Sequence, residues 1–279
     1  MNIEKNIVAI GGGGFGRTVK DLRIEEYILN LSKKDKPNIC FIPTATGDND
    51  AYKVNYYDVF TKFNCNPTHI DFFKRTIDLS SHIPKQDIIF VGGGNTKSMI
   101  AVWKDWGLDI LLRDAYENGT VMSGVSAGAI CWFERGITDS WAHDLAVMEC
   151  LGFVKGICCP HYDEEPARRP FVKKALEKKL IDHCLSIEGN CALHVKDDNP
   201  FRAVNFGNNK NCYETITSDG KTIEKPFKSI NLKLFPNLNL ILKIYLNLRF
   251  FIISSNHARN TDIFLFILFI RSSIKIIFI

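Results

Sequence analysis

Apolar residues in the first half of the chain come in short blocks of four or five, and each block ends in a loop of small residues. Ile7-Val-Ala-Ile10 runs into four glycines, Ile39-Cys-Phe-Ile42 into Pro43-Thr-Ala-Thr-Gly47, and Asp87-Ile-Ile-Phe-Val91 into Gly92-Gly93-Gly94-Asn95-Thr96. An unbroken apolar block of this length, bounded by glycine, predicts a strand buried on both faces. A fourth block, Thr120-Val-Met-Ser-Gly124, leads into Val125-Ser126-Ala127-Gly128-Ala129. Between the blocks the period lengthens. From Thr18 to Leu31 the apolar positions are Val19, Leu22, Ile24, Tyr27, Ile28 and Leu31, a spacing that predicts a helix with one buried face. Further helices are predicted over Tyr52–Phe63, Lys97–Trp106 and Leu108–Asn118.

Strands that alternate with helices predict an α/β fold of three layers, a mainly parallel sheet with helices on both faces. In such sheets reactive residues gather at the carboxyl ends of the strands. Later in the chain, Cys191–Val195, Arg202–Phe206 and Cys212–Ile216 are short strand-like runs, and Ser218-Asp-Gly220 supplies a turn. They predict a small C-terminal antiparallel meander. Past Pro226 the composition changes abruptly: glycine disappears and Leu, Ile, Phe and Asn crowd together. We therefore expect a catalytic domain over residues 1–226 and an atypical apolar, basic tail over 227–279.

Charge sharpens that division. The whole chain carries 35 Lys and Arg against 31 Asp and Glu, a formal +4. Seven of the basic residues and one acid lie in 227–279, so the tail carries +6 and residues 1–226 carry −2. The catalytic part thus has no clustered excess of positive charge for nucleic acid. In the tail, Lys243, Arg249, Arg271 and Lys275 interrupt each apolar run before it reaches the roughly 18–20 residues that span a bilayer. The tail's composition fits translated AT-rich sequence beyond a lost stop codon or frameshift, or a surface-bound membrane anchor. Nine cysteines without C-x-x-C spacing read as reduced thiols rather than zinc ligands, and Met1-Asn-Ile-Glu-Lys-Asn6 does not show the basic, apolar and cleavage-site pattern expected of a secretory leader. The expected location is cytoplasmic, with no metal and no cofactor.

The strongest chemical signal is Gly124-Val125-Ser126-Ala127-Gly128, a G-x-S-x-G string between a predicted strand and a predicted helix. A sharp turn in that context presents the serine hydroxyl, and small neighbours relieve its crowding. Ser126 is the candidate nucleophile. The Ala127 N–H is one candidate oxyanion donor, and Gly93 or Gly94 is the second, because a glycine backbone can approach a substrate closely. No G-K-[ST] follows the Gly92–Gly94 run, which disfavours a phosphate loop, and Pro43-Thr44 stand where a dinucleotide site would need an acid. For the base, His161 follows the apolar run Gly156-Ile-Cys-Cys-Pro160 and so sits at a strand end; His194 and His143 are the alternatives. The orienting acid is open between Asp139, shortly after the nucleophile helix, and Glu188, before Gly189-Asn190.

Taken together, Gly-Val-Ser-Ala-Gly-Ala (124–129), Gly-Gly-Gly-Asn-Thr (92–96), Pro-Thr-Ala-Thr (43–46) and Cys-Cys-Pro-His-Tyr (158–162) resemble the peptidase E family. That family comprises aspartyl dipeptidases and relatives such as cyanophycinase, with a class I glutamine amidotransferase-like fold. The resemblance spans about residues 6–224. It implies a serine peptidase that cleaves short peptides, above all dipeptides with N-terminal aspartate, through an acyl-enzyme. Ser126 and His161 carry over directly, and the third position matches either Asp139 or Glu188. Asn95 of the glycine loop and Arg168 or Arg169, after the histidine, match the substrate-binding region, where an arginine fork would bind a carboxylate through paired hydrogen bonds. The segment before that arginine is shorter here. The expected partner is a small peptide, taken by a monomer or homodimer. The competing reading is an amidotransferase-like binding module without peptidase activity; a true glutamine amidotransferase would carry cysteine in place of Ser126.

Overall fold

The computed structural model of the chain describes residues 3–17, 20–141, 144–207 and 209–233. In it the apolar blocks are strands: Asn6–Ile10 (β1), Asn38–Ile42 (β2), Ile88–Val91 and Val121–Val125, the last two being β4 and β5 because a short strand, Asn66–His69 (β3), precedes them. The helices between are Arg23–Leu31 (α1), Asp50–Phe60 (α2), Leu79–His82 (α3), Thr96–Asp105 (α4), Leu108–Glu117 (α5) and the single turn Ala127–Ile130 (α6). α1 starts later than its apolar spacing predicts, because the Asp21 carboxylate accepts the Arg23 N–H at 3.3 Å and grips its guanidinium. α2 starts earlier, because the Asn49 side chain caps it by accepting the Tyr52 N–H. β3 is Asn-Pro-Thr-His, with no apolar signature; its proline is tolerated because β3 is the edge strand beside β2.

The rest of the chain gives Phe133–Thr138 (β6), Ala146–Glu149 (β7), Val154–Cys159 (β8), Arg168–Glu177 (α7), His183–Ile187 (β9), Cys191–Lys196 (β10), Asn199–Asn205 (β11), Cys212–Ser218 (β12), Lys221–Pro226 (β13) and Ser229–Asn231 (β14). The main sheet has the order β14-β11-β10-β1-β5-β4-β2-β3 and is parallel from β1 to β3. The second, β13-β12-β9-β8-β6-β7, has six strands. The expected C-terminal meander is therefore divided: β10 extends the main sheet antiparallel to β1 and β11 pairs antiparallel with β10, while β12 and β13 complete the second sheet. β14 lies past residue 226, where the composition breaks, and pairs parallel with β11. The tail from residue 234 onward lies outside the described residues. Among the described residues no helix is long and apolar enough to cross a membrane.

Strand alternation sorts the core. Val8, Ile10, Ile39, Phe41, Ile88 and Phe90 face α1 and α2. Ile7, Ala9, Cys40, Ile42, Ile89 and Val91 face the other way, joining residues of α4, α5 and the second sheet. α7 covers the far side of that second sheet through Val172, Ala175 and Leu176. The α/β fold with a mainly parallel sheet and helices on both faces is thus present, and β1 and β5 lie side by side within the main sheet.

Candidate active site

The site grows from the carboxyl end of β1. Three consecutive carbonyls there each hold one incoming loop: Ile10 O accepts the Ser126 N–H at 3.0 Å, Gly11 O accepts the His161 N–H at 3.0 Å, and Gly12 O accepts the Asn190 N–H at 2.8 Å. Residues from three distant parts of the sequence are thereby fixed on neighbouring peptide units.

Ser126 follows β5 and adopts φ +58°, ψ −111°, a left-handed backbone that a non-glycine residue rarely takes. Its surroundings impose that turn. A Cβ on Gly128 would meet Val91 O at 2.2 Å, and one on Gly124 would meet Gly128 O at 2.4 Å, so glycine at these positions lets α6 pack against the end of β4 and fold back on β5. The Ser126 hydroxyl has no hydrogen-bond partner among the described residues. α6 is one turn long and offers the site the N–H groups of a first turn, that of Ala127 among them. Gly93 is the nearer of the two candidate glycines: a Cβ there would stand 3.3 Å from Ser126 Cβ and 3.8 Å from its Oγ. Gly94 instead turns against Ala45, with φ +135°. The Gly93 N–H meets the Tyr52 hydroxyl, which burial pushes up to about 12.

His161 follows β8 and is buried. Its Nδ1 lies 2.7 Å from Glu164 Oε2. With Nδ1–H donating to that carboxylate, the lone pair of neutral imidazole falls on Nε2, the form a general base needs. Glu164 also accepts from Arg17, Nη1 to Oε1 at 2.5 Å, and Arg17 Nη2 stands 3.5 Å from His161 Nδ1. The first glycine run makes room for this group, since a Cβ on Gly12 would lie 2.4 Å from Glu164 Oε2 and 2.9 Å from His161 Nδ1. Phe15, 1% exposed, anchors that run among Phe41, Tyr52, Tyr56, Phe60 and Phe90.

Neither expected acid reaches His161. Asp139 follows β6, has a largely exposed side chain, and stands 3.7 Å from Arg168. Glu188 follows β9 and turns to Arg169 at 3.2 Å and the Asn211 N–H at 2.9 Å. The carboxylate at Nδ1 belongs to Glu164, a residue signalled in the sequence only by its place three residues after His161, on the same turn. Glu164, Arg17 and Gly12 were not among the expected site residues.

Other expected residues have structural duties. Asn95 caps α4 by accepting the Ser98 N–H and donates to Ser140 O. Arg168 is buried, bonded to Glu165 at 2.6 Å and Ile137 O at 2.8 Å. Arg169 is half exposed, lies over the Tyr162 ring, and pairs with Glu188 and Glu224. His194 is held by Tyr27 and Asn6, and burial lowers it to about 4. His143 lies outside the described residues. Among the described residues no group of three or more His, Cys, Asp or Glu is arranged to hold a metal ion.

The family model of peptidase family S51 matches residues 7–202. Over 223 residues the chain is 42% identical to the protein named "Uncharacterized peptidase YgaJ" of Bacillus subtilis (strain 168), covering 80% of this chain and 96% of that one. Over 175 residues it is 26% identical to "Uncharacterized peptidase Lin0382" of Listeria innocua, covering 58% and 78%. Two solved structures share the fold: a peptidase from an acI-B1 Actinobacterium, TM-score 0.58 at 15% identity over 80% of this chain and 98% of that one, and a putative peptidase E protein from Listeria monocytogenes EGD-e, TM-score 0.53 at 18% identity over 77% and 100%.

Proposed function

The chain belongs to peptidase family S51, the peptidase E family, and is a serine-type peptidase; on that premise we propose that it hydrolyses short peptides through a triad of Ser126, His161 and Glu164. The observation that carries this reading is the 2.7 Å pairing of His161 Nδ1 with Glu164, on a turn docked to the carbonyl next to the one that docks Ser126. Ser126 Oγ attacks the scissile carbonyl carbon while His161 Nε2 takes its proton. Glu164 holds the imidazole in the correct tautomer and stabilises the imidazolium. The Ala127 N–H receives the developing oxyanion, and the Gly93 N–H joins it by turning from the Tyr52 hydroxyl. His161 then protonates the leaving amine, and water, deprotonated by the same imidazole, releases the acyl group and restores Ser126.

For the substrate we propose dipeptides with N-terminal aspartate. Arg169 is the better candidate for the aspartate carboxylate, because its guanidinium is half exposed whereas that of Arg168 is buried and committed. The described cysteines are all free, which supports a reducing compartment, and we assign the protein to the cytoplasm.

The test is hydrolysis of a panel of α-Asp-X, β-Asp-X, Glu-X and Ala-X dipeptides by the full chain and by Ser126→Ala. We expect preference for α-Asp-X, abolished in the variant. Cleavage that survives in Ser126→Ala would overturn the assignment of the nucleophile, and equal cleavage of Ala-X would overturn the aspartate preference.

A further inference from the structure

Glu164 is claimed from two sides. One oxygen holds His161, and the other is held by a residue 147 positions earlier in the chain, Arg17, at 2.5 Å. Arg17 also stands 3.5 Å from His161 Nδ1, on the ring edge opposite the one that would face Ser126. We propose that Arg17 is a positioning residue of this site: it pins the Glu164 carboxylate that orients His161, and its charge opposes protonation of that histidine. The inference rests on the triad reading above and adds the element that makes the carboxylate rigid.

The neighbouring charges leave this role to Arg17. Asp163 is taken by Lys210 and the Gly189 N–H, Glu165 by Arg168, and Glu188 by Arg169 and the Asn211 N–H. On the other side of the glycine run, Glu25 is buried in α1 and accepts the Phe15 N–H at 2.7 Å, and Tyr52 feels the Arg17 charge. Among the described residues, Glu164 and Arg17 are the charged side chains that contact the imidazole, at 2.7 Å and 3.5 Å from Nδ1. A carboxylate held at one oxygen rotates about its terminal bond; one held at both keeps its lone pairs aimed at Nδ1. Anchoring by Phe15, two residues earlier, fixes where the arginine starts. The guanidinium is half exposed, so solvent screens part of its effect.

The experiment is an NMR titration of the imidazole signals in the full chain, wild type against Arg17→Met and Arg17→Lys, with His161 assigned from the signal lost in His161→Gln. Removing a cation beside Nδ1 and unmasking Glu164 both favour the imidazolium. The His161 midpoint should therefore rise in Arg17→Met and return most of the way in Arg17→Lys. The His194 signal, from a ring held between Tyr27 and Asn6, should not move and reports that the fold is intact. An unchanged His161 midpoint in folded Arg17→Met overturns the proposal. In kinetics the acid limb of kcat/KM should shift upward with it, at nearly constant KM; a rise in KM with no shift in the titration would make Arg17 a substrate contact instead. The titration needs no substrate. A shifted midpoint in a protein that cleaves no peptide would sink the peptidase reading of this chain while leaving the role of Arg17 standing.

Discussion

The elbow that carries Ser126 and the turn that carries His161 dock on adjacent carbonyls at the end of β1, yet they keep their shapes by different means. The elbow is steric and local: Gly124, Gly128 and Val91 fill one another's space, and Ser126 takes its left-handed backbone because nothing else fits. The His161 turn is polar and long-range. Its three acids in a row, Asp163, Glu164 and Glu165, each go to a different partner, namely Lys210, the His161–Arg17 pair, and Arg168. A steric requirement leaves its mark on the residues beside it. A choice among three equivalent carboxylates is made by distant parts of the chain.

This contrast is open to attack from both ends. The largest effect on stability should come from the anchor of the long-range half. Phe15→Ala removes a fully packed ring and should cost about 3–5 kcal/mol in a denaturant titration, with activity falling further than unfolding explains because Gly12 and Arg17 lose their mooring. Next comes the carboxyl beneath that mooring. Burial pushes Glu25 up to about 7, well above its value in an unfolded chain, and one of its oxygens is buried without a partner. The folded state therefore keeps a proton that the unfolded state releases, and this contribution is full below about pH 4.5 and is lost as pH rises to about 7. Glu25→Gln should gain on wild type across that window, by roughly 2–3 kcal/mol at its upper end, read from denaturation midpoints at pH 5 and pH 8. The smallest effect belongs to the elbow. Gly128→Ala forces a methyl against Val91 O and should destabilise by about 1–3 kcal/mol through overpacking, independently of pH. A pH-dependent cost of Gly128→Ala, or a gain in Glu25→Gln over wild type that is the same at pH 5 and pH 8, would dissolve the distinction.

The same distinction explains what could be read from the sequence. The strands of the parallel sheet were legible because each is a continuous apolar block closed by glycine, and the nucleophile because its turn demands small neighbours. β3 was hidden by its proline and its polar residues, and the second sheet by short, mixed strands such as Phe-Glu-Arg-Gly-Ile-Thr in β6. Asp139 looked like a triad acid because it comes shortly after the helix that follows Ser126. That helix is a single turn, and β6 carries Asp139 out to solvent. Glu188 does end a strand near the site, but its side chain is satisfied by Arg169 and the Asn211 N–H. Gly11–Gly14 read as a poor dinucleotide fingerprint. The run is glycine in part because Gly12 lies against His161 and Glu164, a contact between segments 149 or more residues apart.

The most direct test of the Ser126–His161–Glu164 assignment compares three isosteric acid variants, Glu164→Gln, Asp139→Asn and Glu188→Gln, by kcat/KM on the dipeptide that the wild type cleaves best. The triad proposed here predicts a fall of about 10²- to 10⁴-fold in Glu164→Gln, carried by kcat, and changes of no more than a few-fold in the other two. Wild-type activity in Glu164→Gln, or a collapse of that size in Asp139→Asn, would contradict it.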